Sequence, residues 1–179
     1  KDLVRKYLEK IDTSASRMAT LIKGVLSYSR LSGPTSQIAV DLNAVLKSVL
    51  EDYELLISKK KATVNLSNLP VIHGSELQMF QLFSNLMSNS LKFSERDPMI
   101  TISSKPMTPE DRKRYHLDPS RQFVDIEFRD NGIGFDSQFS DRIFTLFQRL
   151  NNRRDYEGTG IGLALCKKIV DNHGGIITV

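Results

Sequence analysis

The stretch 157-EGTGIGLALCKK-168 places glycines at three alternate positions directly before an apolar segment with helical spacing. Glycine leaves backbone N–H groups uncovered, and a helix N-terminus carries a partial positive charge, so such a stretch can form an anion site. The alternative is a flexible loop that happens to precede a helix. The P-loop pattern G-x-x-x-x-G-K-[ST] does not occur, so a phosphate site here would be of another kind.

The composition is typical of an ordinary soluble globular protein. The 179 residues are 40% hydrophobic and 26% charged, and no apolar run approaches the ~20 residues of a membrane span. Cys166 is the only cysteine, so we expect a buried thiol and a cytoplasmic protein, with a membrane anchor in a longer parent left open. The net charge of +4 comes from scattered basic groups, which speaks against a nucleic-acid partner.

The first residues have the pattern of one long helix. From Val4 to Val25, apolar residues recur at alternating spacings of four and three, as in the seam of a coiled coil or helix bundle. So wide an apolar face needs a partner, which another subunit would supply. We expect residues 1–32 to form this helix, and residues 33–39 a linker that begins with Gly33 and Pro34.

Residues 40–179 alternate between strand and helix patterns, which predicts an α+β domain with a sheet packed against helices. The expected N-caps are Asn43 and Ser75, the latter in a capping box with Gln78. The region from residue 106 to residue 120 is polar and predicts an exposed loop. The predicted strands cover residues 38–42, 62–67, 99–105, 123–129 and 176–179, and the predicted helices cover 43–58, 75–93, 140–147 and 160–172.

A polar face interrupts the predicted helix in the stretch 85-NLMSNSLKF-93. Asn85, Asn89 and Lys92 are spaced by four and three residues and share one side of the helix. Asparagine is unfavourable inside helices, an amide oxygen can bind Mg²⁺, and a lysine can neutralise phosphate. A polar binding site and an exposed polar surface both fit this pattern.

The stretch 130-DNGIG-134 follows a predicted strand. Asp-Asn-Gly is a good turn sequence. Alternatively, a carboxylate at a strand end can accept a hydrogen bond from an exocyclic amine, beside glycines that allow a flat ring to approach.

The stretch 144-FTLFQR-149 carries two phenylalanines one helical turn apart. We expect Phe144 and Phe147 to anchor a loop onto the core. Arg149 would then be free to reach a phosphate.

These four stretches, in this order, resemble the ATP-binding domain of sensor histidine kinases, in the superfamily that includes Hsp90, DNA gyrase and MutL. The N, G1, F and G2 boxes of that family are similar to the stretches at 85–93, 130–134, 144–149 and 158–165. The helix Tyr7–Arg30 resembles the second helix of the family's dimerisation and phosphoacceptor domain. The resemblance implies a two-layer α/β sandwich, known as the GHKL or Bergerat ATP-binding fold.

The resemblance also implies roles for single residues. Asn89 would bind Mg²⁺, Asn85 and Lys92 would lie at the triphosphate, and Arg149 would reach the γ-phosphate from a lid over residues 134–158. At the base, Phe93 would pack on adenine and Asp130 would accept its amino hydrogen. The remaining implied nucleotide contacts are Gly132, Gly134, Gly158, Thr159, Gly160, Gly162 and Leu163.

The chain departs from the family pattern at the phosphoacceptor. None of its three histidines lies in an H-box context, and we expect His73, His116 and His173 to be structural. His173 follows a helix C-terminus, where a partly cationic ring suits the helix dipole. We therefore expect that the acceptor histidine and the end of the domain lie outside this sequence, and that the fragment alone does not autophosphorylate.

The implied function is transfer of the γ-phosphoryl of ATP to a histidine of the dimerisation domain, for relay to a response regulator. ATP and Mg²⁺ are the implied cofactors, and a homodimer would form through the helix bundle. Clamp ATPases of the superfamily carry a glutamate where Asn85 stands, and an amide cannot act as a general base. The alternatives are a nucleotide-binding scaffold or pseudokinase, a clamp-type ATPase, and a serine kinase of the same superfamily.

Overall fold

The computed structural model describes residues 2–31, 37–140, 142–148 and 158–179. Its regular elements alternate as expected for an α+β domain that follows one long helix. In chain order they are α1 (Asp2–Arg30), β1 (Ile38–Asp41), α2 (Leu42–Lys59), β2 (Thr63–Leu66), β3 (Val71–Gly74), α3 (Glu76–Lys92), β4 (Met99–Pro106), α4 (Pro109–Arg114), β5 (Val124–Asp130), a 3₁₀ turn (Ser137–Phe139) and α5 (Gly162–Asn172).

The strands form two small sheets. β1 and β3 pair antiparallel, and the other sheet has the order β2-β4-β5. Within it β2 runs parallel to β4, and β4 runs antiparallel to β5, so the sheet is mixed. The register pairs Ile100 with Asp130, which brings the end of β5 beside the start of β4.

The core lies between this mixed sheet and helices α2, α3 and α5. Alternate residues of β4 point into it, since Ile100 and Ile102 are fully buried while Met99 and Thr101 are exposed. Each large apolar side chain that folding buries contributes about 1.5–3 kcal/mol. The helices contribute Leu42, Val45, Leu46, Val49, Phe83, Met87, Leu91, Leu165 and Ile169 to the same cluster.

Helix α1 meets the domain only near its C-terminal end. The side chain of Leu31 is buried, and its carbonyl oxygen accepts a 2.7 Å hydrogen bond from Nδ2 of Asn172. The predicted seam residues between Val4 and Val25 are exposed, so a single chain leaves most of the apolar face uncovered. Neither α1 nor any other helix of the described part of the chain is long and apolar enough to cross a membrane.

The N-cap prediction is right for α3 and wrong for α2. Ser75 accepts a hydrogen bond from the backbone of Gln78, but the Gln78 side chain is buried and does not complete a capping box. Asp41, rather than Asn43, caps α2, and the hydrogen bond from the Asn43 side chain lowers the pKa of this carboxyl. The Asn43 side chain also bonds both backbone groups of Leu69, which ties α2 to the segment before β3.

Three further predictions of secondary structure are wrong. The polar region 106–120 contains α4, which Thr108 caps and Pro109 begins. No helix is found in the described residues 140 and 142–147, which form turns and a bend after a 3₁₀ turn. The last residues, 176–179, belong to no strand.

His173 has the structural role predicted for it. Its Nε2 atom lies 3.1 Å from the backbone nitrogen of Ser75, which can only donate. Nδ1 therefore carries the proton and donates to the carbonyl of Ile169 at 2.7 Å. The ring therefore connects the end of α5 to the start of α3.

Candidate functional site

The polar face of α3 lies against the glycines that begin α5. A Cβ atom built on Gly162 would lie 3.2 Å from Oδ1 of Asn85 and 4.0 Å from Nδ2 of Asn89. A Cβ atom built on Gly158 would lie 2.6 Å from Nζ of Lys92. The two amides and the amine that the helical spacing placed on one face therefore lie against the glycine loop. The surface that these residues form with the loop and with Asp130 is called the cleft below.

The glycine loop has a conformation that only glycine adopts easily. Gly160 has φ +73°, and a Cβ atom there would lie 2.7 Å from the carbonyl oxygen of Gln148 and 2.8 Å from the carbonyl carbon of Phe147. The Gly160 carbonyl in turn accepts a 2.9 Å hydrogen bond from the Phe147 N–H. The loop is thereby fixed to the segment that precedes the undescribed residues 149–157.

Helix α5 directs its N-terminus into the same cleft. Ile161 occupies the N-cap position, and its hydrocarbon side chain cannot accept a hydrogen bond from the first-turn N–H groups. These donors and the positive end of the helix dipole suit an anionic ligand. Thr159 and Leu163, on either side of this point, are half-buried.

The other end of the cleft is built around Asp130. Its Oδ1 atom accepts a 2.8 Å hydrogen bond from the Gly132 N–H, and its Oδ2 atom accepts a 2.6 Å bond from the Ser90 hydroxyl. The N–H of Ile133 donates to the Phe93 carbonyl at 2.9 Å. The loop after β5 is therefore held to the end of α3, while the Asp130 side chain stays exposed and accessible to a ligand.

Lys92 and Phe93 lie between the two ends of the cleft. The Lys92 Nζ atom is 4.3 Å from the centroid of the Phe93 ring, a cation–π contact. Both side chains are half-buried, and Phe93 forms the C-cap of α3. The Lys92 ammonium group and the Phe93 ring therefore lie between Asn85 and Asn89 at one end of the cleft and Asp130 at the other.

Not every predicted site residue joins this arrangement. Gly134 has φ +63° and no atom within 4 Å of its Cβ position, so it lies in open space. Arg149 falls outside the described residues. Phe147, expected to anchor a loop onto the core, is instead 55% exposed with φ +63°. Ile143, at 6% exposure, is the buried residue of that segment, and Phe144 is half-buried.

Sequence reasoning also missed one residue of the site. Ser90 is 3% exposed and bonded to Asp130, although nothing in the motif distinguished it from the other serines of α3. The available signal was helical spacing: Ser90 lies three residues after Met87 and seven after Phe83, which are both buried, so it shares their side of the helix.

Comparisons with known proteins identify the family of the chain. The family described as histidine kinase-, DNA gyrase B-, and HSP90-like ATPase matches residues 74–179. Cyanobacterial phytochrome A of Nostoc sp. (strain PCC 7120) is 38% identical over 192 residues, which cover 99% of this chain and 23% of that protein. The chain thus spans about a quarter of the length of this curated relative.

Two solved structures share the fold. ShkA, solved full-length in complex with AMPPNP, matches with a TM-score of 0.65 and 23% identity over 95% of this chain and 34% of that one. Histidine kinase ThkA in complex with the response regulator protein TrrA matches with a TM-score of 0.66 and 22% identity over 98% of this chain and 46% of that one. The chain therefore belongs to the family of histidine kinase-, DNA gyrase B- and HSP90-like ATPases, as the ATP-binding catalytic domain of a two-component sensor histidine kinase preceded by a long helix.

Proposed function

We propose that the chain holds ATP on the surface formed by the polar face of α3, the glycine loop and Asp130, and transfers its γ-phosphoryl to a histidine on the dimerisation domain of the parent kinase. The observation that carries this proposal is the approach of Asn85, Asn89 and Lys92 to the glycine loop. Two amides and an amine on one side, and an uncapped helix N-terminus on the other, suit a triphosphate.

The adenine would bind at the Asp130 end of the cleft. The Asp130 carboxylate is fixed by two hydrogen bonds yet exposed, so it can accept a bond from the 6-amino group. The Phe93 ring, which also contacts Lys92, would contribute an apolar contact to the base. Gly132 and Gly134 would leave room beside it, and Leu163 would contribute an apolar contact near the phosphates.

Mg²⁺ fits the donors at the phosphate end. In the described residues no group of three His, Cys, Asp or Glu side chains could hold a metal, so an all-protein cage is not available there. The Asn89 side-chain amide lies beside the glycine loop, with its Nδ2 atom 4.0 Å from the Cβ position on Gly162, and its oxygen is the donor that would bind Mg²⁺. Mg²⁺ commonly combines one or two protein oxygen ligands with phosphate oxygens and waters. If bound there, Mg²⁺ would neutralise part of the negative charge of the phosphate groups.

The site favours a protein acceptor over water. During transfer the bond between the γ-phosphorus and the β–γ bridging oxygen breaks, a phosphorus–nitrogen bond forms, ADP leaves and the imidazole gives up its proton. Lys92 would stabilise the charge on the phosphate oxygens, and Arg149 would do so from the lid. Asn85 cannot activate water as a general base, so hydrolysis would be slow.

The proposed partners are a second copy of the chain, inferred from α1, and a response regulator, inferred from one related structure. The exposed seam of α1 would pair with helices of a second copy, because an isolated apolar helix face of this width needs a partner. ThkA was solved with the response regulator protein TrrA, which supports a receiver domain as the final acceptor for this chain too.

The proposal is tested by phosphoryl transfer between two chains. The 179-residue chain is mixed with Mg²⁺, ATP labelled at the γ-phosphate, and a longer form of the same protein that keeps its acceptor helix but carries Asp130→Ala. Acid-labile, base-stable label on the longer form is expected. Lys167→Ala in the donor should leave transfer unchanged, since this lysine is exposed and pairs with Asp171. ATP binding without any transfer, even within an unmutated longer form, would contradict the proposal.

A further inference from the structure

The side chain of Ser90 is a buried hydroxyl committed to one acceptor. It is 3% exposed and donates a 2.6 Å hydrogen bond to Oδ2 of Asp130, forty residues further along the chain. A distance this short is typical of an O–H···O⁻ bond, which is stronger than a bond between neutral groups. Ser90 therefore connects the end of α3 to the end of β5 through the carboxylate itself.

Both Asp130 oxygens are oriented by donors from this chain. Oδ1 receives the Gly132 N–H at 2.8 Å, and Oδ2 receives the Ser90 hydroxyl. Rotation of the carboxylate would break at least one of these bonds, so the plane of the group is fixed. Each oxygen keeps a further lone pair, and the exposed side of Asp130 leaves those lone pairs open to a ligand.

These two hydrogen bonds determine which ligand groups the Asp130 carboxylate can bind. The Ser90 proton and the Gly132 N–H are both directed at Asp130, so the carboxylate can only accept from a ligand. An exocyclic amine would satisfy it, whereas a 6-oxo group would bring a second acceptor against it. A carbonyl oxygen placed against the carboxylate is repelled by it, so the 6-oxo analogue should bind less tightly than the 6-amino base.

We propose that Ser90 is a positioning residue that sets the Asp130 carboxylate to select a 6-amino purine over a 6-oxo purine. The inference rests on the proposed binding of ATP at Asp130. Without the Ser90 hydroxyl, Oδ2 loses its donor, the carboxylate can rotate about its Cβ–Cγ bond, and its preference for an amine weakens.

The test compares ATP with ITP, which differs at the 6-position of the base. Affinities of the 179-residue chain are measured by competition against a fluorescent ATP analogue for wild type, Ser90→Ala and Ser88→Ala. Ser90→Ala should weaken ATP binding about tenfold and ITP binding less than about threefold, which lowers the ATP/ITP preference. Ser88→Ala makes the same chemical change on the same helix and should leave the preference as in wild type.

A double-mutant comparison separates this inference from the proposed function. If Ser90 acts through Asp130, adding Ser90→Ala to Asp130→Ala should produce no further loss of preference. A Ser90→Ala variant that keeps the full wild-type preference, while Asp130→Ala loses it, would overturn the role of Ser90 alone. A wild type without preference for ATP over ITP would overturn the binding of the base at Asp130 instead.

Discussion

The Cδ1 atom of Ile161 lies 2.6 Å from the position that a Cβ atom on Gly24 would occupy. Gly24 is in the long helix α1, and Ile161, at 3% exposure, stands between Gly160 and Gly162 of the glycine loop. Close to this contact, Asn172 at the end of α5 bonds the carbonyl of Leu31. The helix that precedes the domain therefore packs directly on the loop proposed to hold phosphate.

Gly24→Val should loosen this packing. Helix propensity alone would make valine slightly better than glycine at this position. The valine side chain would overlap the buried Ile161, and overpacking costs about 1–3 kcal/mol, or a fall in melting temperature of about 2–10 °C. Thermal unfolding followed by circular dichroism measures the change, with Ser29→Val on the exposed side of α1 as the matched control. A Gly24→Val variant as stable as wild type would show that the contact is not stabilising.

Replacing Gly160 with alanine should lower the stability of the protein more than replacing Gly134. Both have positive φ, which costs an alanine about 1–2 kcal/mol. At Gly160 the added Cβ also meets the backbone of Phe147 and Gln148, whereas at Gly134 it meets nothing within 4 Å. Gly160→Ala should therefore lower the free energy of unfolding by about 2–4 kcal/mol, and Gly134→Ala by about 1–2 kcal/mol. Urea unfolding measures both, and equal losses would contradict the close backbone approach at Gly160.

Cys166 should make stability fall at high pH. Burial raises the pKa of its thiol from the usual 9.0 to about 12, because the thiolate is penalised inside the core. As the pH rises, the thiol therefore loses its proton first in the unfolded chain. The stability that the buried thiol contributes is fully present below pH 9 and is lost between pH 9 and about pH 12. The free energy of unfolding falls by at most about 1.4 kcal/mol per pH unit because of this thiol.

The measurement for Cys166 is the unfolding free energy from pH 8 to pH 10.5 in wild type and Cys166→Ala. Other groups titrate in the same range, but the difference between the two proteins removes their effect. The stability advantage of wild type should shrink as the pH rises. Parallel curves would mean that the thiol titrates alike in the folded and unfolded states.

The elements that the sequence predicted well are those with local signals. The Ser75 cap and the apolar period of α3 are both contained in one stretch of chain, and so are the alternating patterns of β4 and β5. By contrast, β3 has only four residues and exists through pairing such as that of Ile38 with Gly74, which no local pattern reveals. The α4 signals were present at Thr108 and Pro109, but a short helix that buries no residue looks like a polar loop.

In the site, too, local patterns predicted part of the arrangement, and packing between distant elements determined the rest. Helical spacing predicted that Asn85, Asn89 and Lys92 share a face, because the period of a helix is fixed. The approach of that face to Gly158 and Gly162 depends on how α3 packs on α5, which the family resemblance implied and spacing alone did not. The bond between Ser90 and Asp130 joins residues forty positions apart, and only the folded chain brings them together.

The most direct test of the account is the affinity of the 179-residue chain for ATP, measured by calorimetry with and without Mg²⁺. Asp130→Ala should weaken binding about 10–100-fold, since a hydrogen bond to a charged group is lost. Asn89→Ala should bind ATP equally with and without Mg²⁺, whereas wild type should bind more tightly when Mg²⁺ is present. An Asp130→Ala variant with unchanged affinity, or an Asn89→Ala variant with the full Mg²⁺ effect, would contradict the assignment of this cleft as the nucleotide site.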